Sequence, residues 1–192
     1  MNKYVGTLVL LVLVLILGTS CSDREAEARS IYNQALAAQR EGNQEEARQL
    51  FEKLVAEYSE SEIATEANEK LSGMDLVNSF TSSMSIAGNE EAAKLGIMTI
   101  VTTQITFSAQ NKGEYATSLS KLELAELLDS ELASGSKDGY RFNMVGGGKS
   151  FTVTATPLEF GKTGNRSFFS DETGVVRYEM GEVFADRNSP AL

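Results

Sequence analysis

The hydrophobic period of this 192-residue chain changes from that of a helix to that of a strand part way along, which excludes both all-α and all-β solutions. From residue 24 to 73 the sequence is rich in Ala, Glu, Gln, Arg and Leu, lacks proline, and has glycine only at 42 and 73. Its apolar positions, Ala28, Ile31, Tyr32, Ala35 and Leu36, then Ala47, Leu50, Phe51, Leu54 and Val55, recur at helical spacing on either side of Gly42-Asn43. Two antiparallel helices joined by a tight turn follow. From Tyr140 onward the period is two. Tyr140 to Met144 and Phe151 to Ala155 alternate around Gly146-Gly147-Gly148, and Arg166 to Ser170 and Val175 to Glu179 flank Asp171-Glu172-Thr173-Gly174. The expected fold is therefore α+β: an N-terminal helical hairpin module followed by a helix packed on a roughly four-stranded antiparallel sheet.

Between these ends the reading is less direct. Ser61 to Leu71 predicts a third helix, Met74 to Met84 a further one with Leu76, Val77 and Phe80 at helical spacing, and Gly88-Asn89-Glu90-Glu91 an interruption with an acidic helix start. Residues 90 to 111 begin like a helix, but Thr99 to Phe107 is dense in β-branched residues, so propensity leaves that element undecided. Leu119, Leu122, Leu127, Leu128 and Leu132 mark a short helix near 120 to 133. The expected segments are residues 1–20, 21–73, 74–89 as a connecting helix or linker, 90–180 as the α+β domain, and 181–192 as a tail.

Composition narrows function. A formal net charge of −10 repels phosphate backbones and anionic headgroups, which disfavours nucleic acid as a partner. Histidine is absent, removing the commonest general base and zinc ligand, and there is one cysteine, Cys21. These absences favour a scaffold or binding module over an enzyme, and no cofactor is implied.

Cys21 closes an apolar run, Tyr4 to Leu17, that follows Lys3 and ends in Gly18-Thr19-Ser20. The run has the length of a signal h-region and falls short of the roughly 20 residues that span a bilayer. This arrangement resembles the bacterial lipobox, with Gly18 in place of the commoner leucine. The resemblance implies removal of residues 1–20, palmitate or similar acylation of Cys21, and a periplasm-facing body held at a membrane by its lipid anchor. Ser22 after the cysteine resembles outer-membrane rather than inner-membrane lipoproteins.

The hairpin, through Ala28, Tyr32, Ala35, Gly42, Ala47, Phe51, Leu54 and Tyr58-Ser59, resembles a tetratricopeptide (TPR-like) repeat, with an ordinary helical hairpin as the alternative. Phe51 to Tyr58 followed by Ser61 to Ala64 is similar to the repeats of bacterial outer-membrane assembly lipoproteins. The later phrases Ser136 to Phe142, Phe151 to Pro157, Gly161 to Asp171 and Gly174 to Tyr178 resemble the globular head of type IV pilin-like and type II secretion pseudopilin-like proteins. That resemblance implies that residues 90 to 111 form a helix lying across the sheet. The short basic leader and polymerising helix of that family are missing before Glu90, which argues against a filament subunit. Together the resemblances imply a non-enzymatic adaptor lipoprotein whose partners belong to a pilus, a secretion system or an outer-membrane assembly machine. A periplasmic hydrolase is the remote alternative.

Several residues are candidates for sites. On the first helix, Arg29, Asn33, Gln39 and Arg40 would project along the face with which such repeats bind peptides. Asp138, Asp171 and Glu172 are hard oxygen donors in turns and weak calcium candidates. Ser118-Leu-Ser-Lys121 with Lys162-Thr163-Gly164 imitates a penicillin-binding signature but lacks its third element. Gly146 to Ser150 imitates a phosphate loop but joins two strands, so its amides would not converge on an anion at a helix start.

Overall fold

The structure is a computed structural model that describes the backbone of residues 5–192 and the side chains of residues 23–192. Cys21, the expected lipidation site, and the signal-like run before it lie outside the described side chains. Five helices and five strands follow in the order α1 (Val5–Arg40), α2 (Gln44–Glu57), α3 (Glu62–Gln110), α4 (Leu119–Leu124), α5 (Ser130–Ala133), then β1 (Ser136–Lys137), β2 (Tyr140–Gly147), β3 (Ser150–Pro157), β4 (Arg166–Asp171) and β5 (Arg177–Met180). The chain is α+β, as the two periods require. Among the described residues no helix is long and apolar enough to cross a membrane. The chain divides into two compact units, Met1–Ser79 and Phe80–Leu192.

In the first unit α1 and α2 turn back on one another through Gly42, whose φ of 86° is the left-handed conformation that glycine adopts without strain. Ala28, Ala35 and Ala47 are fully buried, which lets the backbones approach, and Phe51 and Leu54 fill the space between them. Tyr32 meets the Phe51 ring edge-on at 5.7 Å. The first turns of α3 close this core with Ile63, Ala67 and Met74.

The 49-residue α3 replaces three expected elements: the helix ending near Leu71, the one from Met74 to Met84, and the interruption at Gly88. Gly73 and Gly88 have helical backbones, and a Cβ at either would meet nothing within 4 Å, so both are tolerated as ordinary helical residues at about 1 kcal/mol each. The β-branched segment also stays helical. Thr99, Thr102, Thr103 and Thr106 each donate a hydroxyl hydrogen bond to the carbonyl four residues back, at 2.7 to 3.0 Å. The propensity conflict at residues 99–107 is resolved by burial of Ile100, Val101, Thr103, Gln104 and Phe107; the hydroxyl bonds satisfy the threonines without driving the helix.

In the second unit five antiparallel strands form a meander in sequence order, one more than expected, because Ser136–Lys137 pairs with Arg141 and Tyr140. Tyr140, Phe142 and Met144 of β2 and Phe151, Val153 and Ala155 of β3 point to the same face as Phe168 of β4. Ala93, Ile97, Ile100 and Phe107 of α3 complete that core. Gly96 marks the closest approach, since a Cβ there would lie 2.7 Å from the Phe142 ring. The single helix expected near 120 to 133 is two short ones, capped by the side chains of Ser118 and Asp129.

Candidate functional site

A trough of about 640 Å³ lies between the α1–α2 turn and α3 in the first unit, lined by Gln39, Gln44, Glu69, Lys70, Gly73, Met74, Val77 and Asn78. It exists for a local reason. Residues 69, 70, 73, 74, 77 and 78 share one side of α3 at i, i+4 spacing, and Gly73 in the middle has no side chain to fill the space. Met74 is buried at the floor, whereas Gln44, Glu69, Lys70 and Asn78 are exposed. Further along the same interface burial raises the Tyr32 phenol above its ordinary value, and the charges of Glu66 and Glu69 and a hydrogen bond with Glu66 add to the rise.

The lining can pair with a ligand that carries both hydrogen-bond donors and acceptors. Three carboxamides, Gln39, Gln44 and Asn78, each donate and accept, which matches peptide N–H and C=O groups, and Lys70 and Glu69 add one donor and one acceptor. Met74 and Val77 offer an apolar and partly adaptable surface.

Of the four residues expected to form a groove, the structure brings only Gln39 to this trough. Arg29, Asn33 and Arg40 lie within about 40° of one another around α1, and Gln39 is displaced from Arg29 by about 80°. Those three are exposed, and Arg29 pairs with Glu25 at 3.7 Å. Lys70, Met74 and Asn78 were missed because the sequence reads as two helices broken at Gly73, which hides their common face. A smaller cleft of about 280 Å³ lies at Arg24, Glu25 and Glu57 to Ser61, and several of its groups bond to one another. Arg24 donates to the Glu57 carbonyl at 2.9 Å and lies over the Tyr58 ring, and Ser61 donates to Glu25 at 2.7 Å.

The acidic turn residues have other occupations. Asp171, 3% exposed, accepts hydrogen bonds from the Thr173 hydroxyl and amide at 2.6 and 3.0 Å, and Arg187 sits 3.2 Å from its other oxygen. Arg187 also reaches Glu172 at 3.7 Å. Asp138 adopts a positive φ of 47° in the turn before β2. Among the described residues no group of three or more acidic or thiol ligands comes together to hold a metal ion. Burial alone would raise the Asp171 pKa; the two Thr173 bonds and the charges of Arg187 and Arg177 outweigh it and hold the carboxyl below its ordinary value of 3.8. A folded pKa below the unfolded one adds stability that is complete above the unfolded value and is lost as pH falls through the folded one. Melting temperatures of the wild type should therefore fall more steeply below about pH 4 than those of Asp171→Asn; parallel curves would reject the assignment.

The motif look-alikes resolve into structural parts. Ser118 caps α4 by accepting from the Lys121 amide at 3.2 Å, and Thr163 closes a turn by accepting from the Glu159 amide at 3.1 Å. Gly148-Lys149 is the two-residue loop between β2 and β3, with Gly148 at φ 59° and Gly147 paired with Ser150. Lys149 donates to the carbonyls of Lys112 and Gly113. In the second unit Glu90, 7% exposed, ties α3 to β4 by accepting from the Asn165 amide at 2.8 Å and from Arg166 Nε at 2.7 Å. The Arg166 guanidinium lies over the Phe168 and Tyr178 rings.

Compared with protein families, curated proteins and solved structures, the chain shows no match. What fold and site define is an α+β protein whose first unit carries an open, carboxamide-rimmed trough.

Proposed function

We propose that this chain is a non-enzymatic scaffold or adaptor lipoprotein of the bacterial cell envelope, anchored through acylated Cys21, facing the periplasm, and associated with a type IV pilus or type II secretion system. The trough carries the reading. Its rim offers paired donors and acceptors, its floor is Met74, and no histidine exists anywhere in the chain to serve as a base. The lipobox-like run supports the anchor, and the tetratricopeptide-like hairpin and pilin-like phrases support the choice of machinery.

Gly73→Leu tests the trough. A Cβ at Gly73 meets nothing within 4 Å, so leucine occupies the trough while leaving the packed core untouched and improving helix propensity. Full-length wild type and Gly73→Leu, each solubilised from membranes, would be used as bait and the captured proteins identified by mass spectrometry. Recovery of pilus or secretion components by the wild type and their loss with the variant is expected. Equal recovery by both would remove the trough from the reading. Recovery of barrel-assembly components instead would place the protein with the outer-membrane assembly lipoproteins that its hairpin resembles. Palmitate labelling of the wild type and its absence in Cys21→Ser tests the anchor separately.

A further inference from the structure

β5 would be the last strand of the sheet, with one edge unpaired, but the segment Ser189–Leu192 lies along that edge. Tyr178 donates its amide to the Pro190 carbonyl at 3.0 Å, Leu192 donates to the Val176 carbonyl at 3.0 Å, and Arg177 faces Ala191 in an antiparallel bridge. Arg177 also donates from its guanidinium to the Ser189 carbonyl at 2.9 Å.

The pairing is incomplete for a chemical reason. Tyr178 and Pro190 occupy positions that in an unbroken antiparallel ladder exchange two hydrogen bonds. Pro190 has no N–H, so the Tyr178 carbonyl on this edge gets no bond in return. Two residues on, the register places Asn188 opposite Met180. The chain turns away there, because the amides of Asn188 and Ser189 are committed to the side chain and carbonyl of Asp186. Residues 190–192 are exposed, Leu192 at 54%. The segment covers the edge yet forms fewer bonds than the edge can accept.

Proline and short pairing segments are how proteins blunt a sheet edge against strand addition. We propose that the β5 edge, Val176 to Met180, is a strand-accepting site held shut by Ser189–Leu192. Its occupant is an extended segment of another polypeptide that carries an N–H where Pro190 has none and continues past Met180. A second copy of this chain brings the same proline and gains nothing by exchange, so the geometry favours a partner of different sequence. The site lies within the second unit and stands independently of the membrane anchor and the trough.

The probe is a labelled peptide of residues 186–192 carrying Pro190→Ala, followed by fluorescence anisotropy. It should bind a chain ending at Asn188. Binding to the full chain should be weaker by about tenfold, the weight of a hydrogen bond or so of competition. A peptide that retains the proline should bind the shortened chain more weakly than the alanine version. Failure to bind a shortened chain whose circular dichroism is unchanged, equal binding to both chains, or equal binding of both peptides would each overturn the proposal. Should the shortened chain fail to fold, hydrogen exchange on the full chain decides. The Tyr178 amide should exchange faster than that of Phe168 inside the sheet, and Pro190→Ala should slow it by about three- to tenfold, the effect of one added bond. An unchanged rate would overturn it.

Discussion

Replacing Gly164 by alanine is expected to destabilise the sheet-containing unit by about 3 kcal/mol, the sum of an overpacking cost and a lost hydrogen bond. A Cβ at this position would overlap the Tyr140 hydroxyl and lie 2.6 Å from its Cζ and 2.8 Å from its Cε2. Tyr140 cannot move aside, because it is fully buried and donates its hydroxyl to the Arg166 carbonyl at 2.8 Å, packed against Phe168. Burial also pushes its phenol well above the ordinary pKa, with the Glu90 carboxylate adding to the rise, so the group stays a neutral donor at any physiological pH. The Gly164 backbone itself is unstrained for other residues, since its φ lies outside the left-handed region. The cost is therefore steric, and it should be partly relieved by Tyr140→Phe, which removes the overlapping oxygen. In urea titrations the double variant should be less destabilised than the sum of the single ones. Strict additivity would show that the two residues do not collide.

How much of this was legible in the sequence depends on where the information lies. The alternation Tyr140-Phe142-Met144 against Phe151-Val153-Ala155 states the sheet's inner face outright, because a strand's side chains have only two directions to choose from. The hairpin of α1 and α2 was equally plain, through Gly42 and the small residues Ala35 and Ala47. The continuity of α3 was not. Gly73, Gly88 and the threonine-rich stretch are local signals for breaks or strands, and in the last of these the signal is overruled by packing of Ile97 and Ile100 on a sheet that begins some 40 residues later. Five strands instead of four follows from a two-residue pairing, Ser136–Lys137, too short to show a period.

The same limit applies to the sites. The tetratricopeptide resemblance pointed to Arg29, Asn33, Gln39 and Arg40 together, but the helical angle separates Gln39 from the rest. Its neighbours Lys70 and Asn78 come from a helix face that Gly73 had divided. Asp171 and Glu172 look like free turn acids until Arg187, 16 and 15 residues on, is seen beside them. Pro190 reads in sequence only as an isolated proline. Its meaning, a missing donor opposite Tyr178, exists only once the strand register is known.

Gln104→Ala should be about as damaging as Gly164→Ala, near 3 kcal/mol, because it strands two buried backbone groups at once. Gln104 is fully buried in α3, a polar side chain among Ile97, Ile100 and Phe107. Its carboxamide answers both polar groups of Ala116: Nε2 donates to the carbonyl at 2.9 Å and Oε1 accepts from the amide at 2.8 Å. Nε2 also lies 2.9 Å from the Met144 sulfur. Ala116 is itself fully buried and sits under Gly146, where a Cβ would overlap its carbonyl oxygen, so water cannot easily replace the lost partners. This one side chain pins the segment between α3 and α4 against β2. Gln104→Met separates the two components of the loss, since it keeps most of the volume but neither hydrogen bond. It should recover the cavity part of the cost and leave the unsatisfied pair. As a carboxylate, Gln104→Glu keeps the acceptor, loses the donor and buries a charge; protonated at low pH it regains an O–H donor for the Ala116 carbonyl, so only then should it fall between alanine and wild type. Thr102→Val, which alters an exposed hydroxyl two residues away, should change stability by no more than about 0.5 kcal/mol. Urea midpoints that place Gln104→Met level with wild type would mean that the amide contacts to Ala116 contribute nothing.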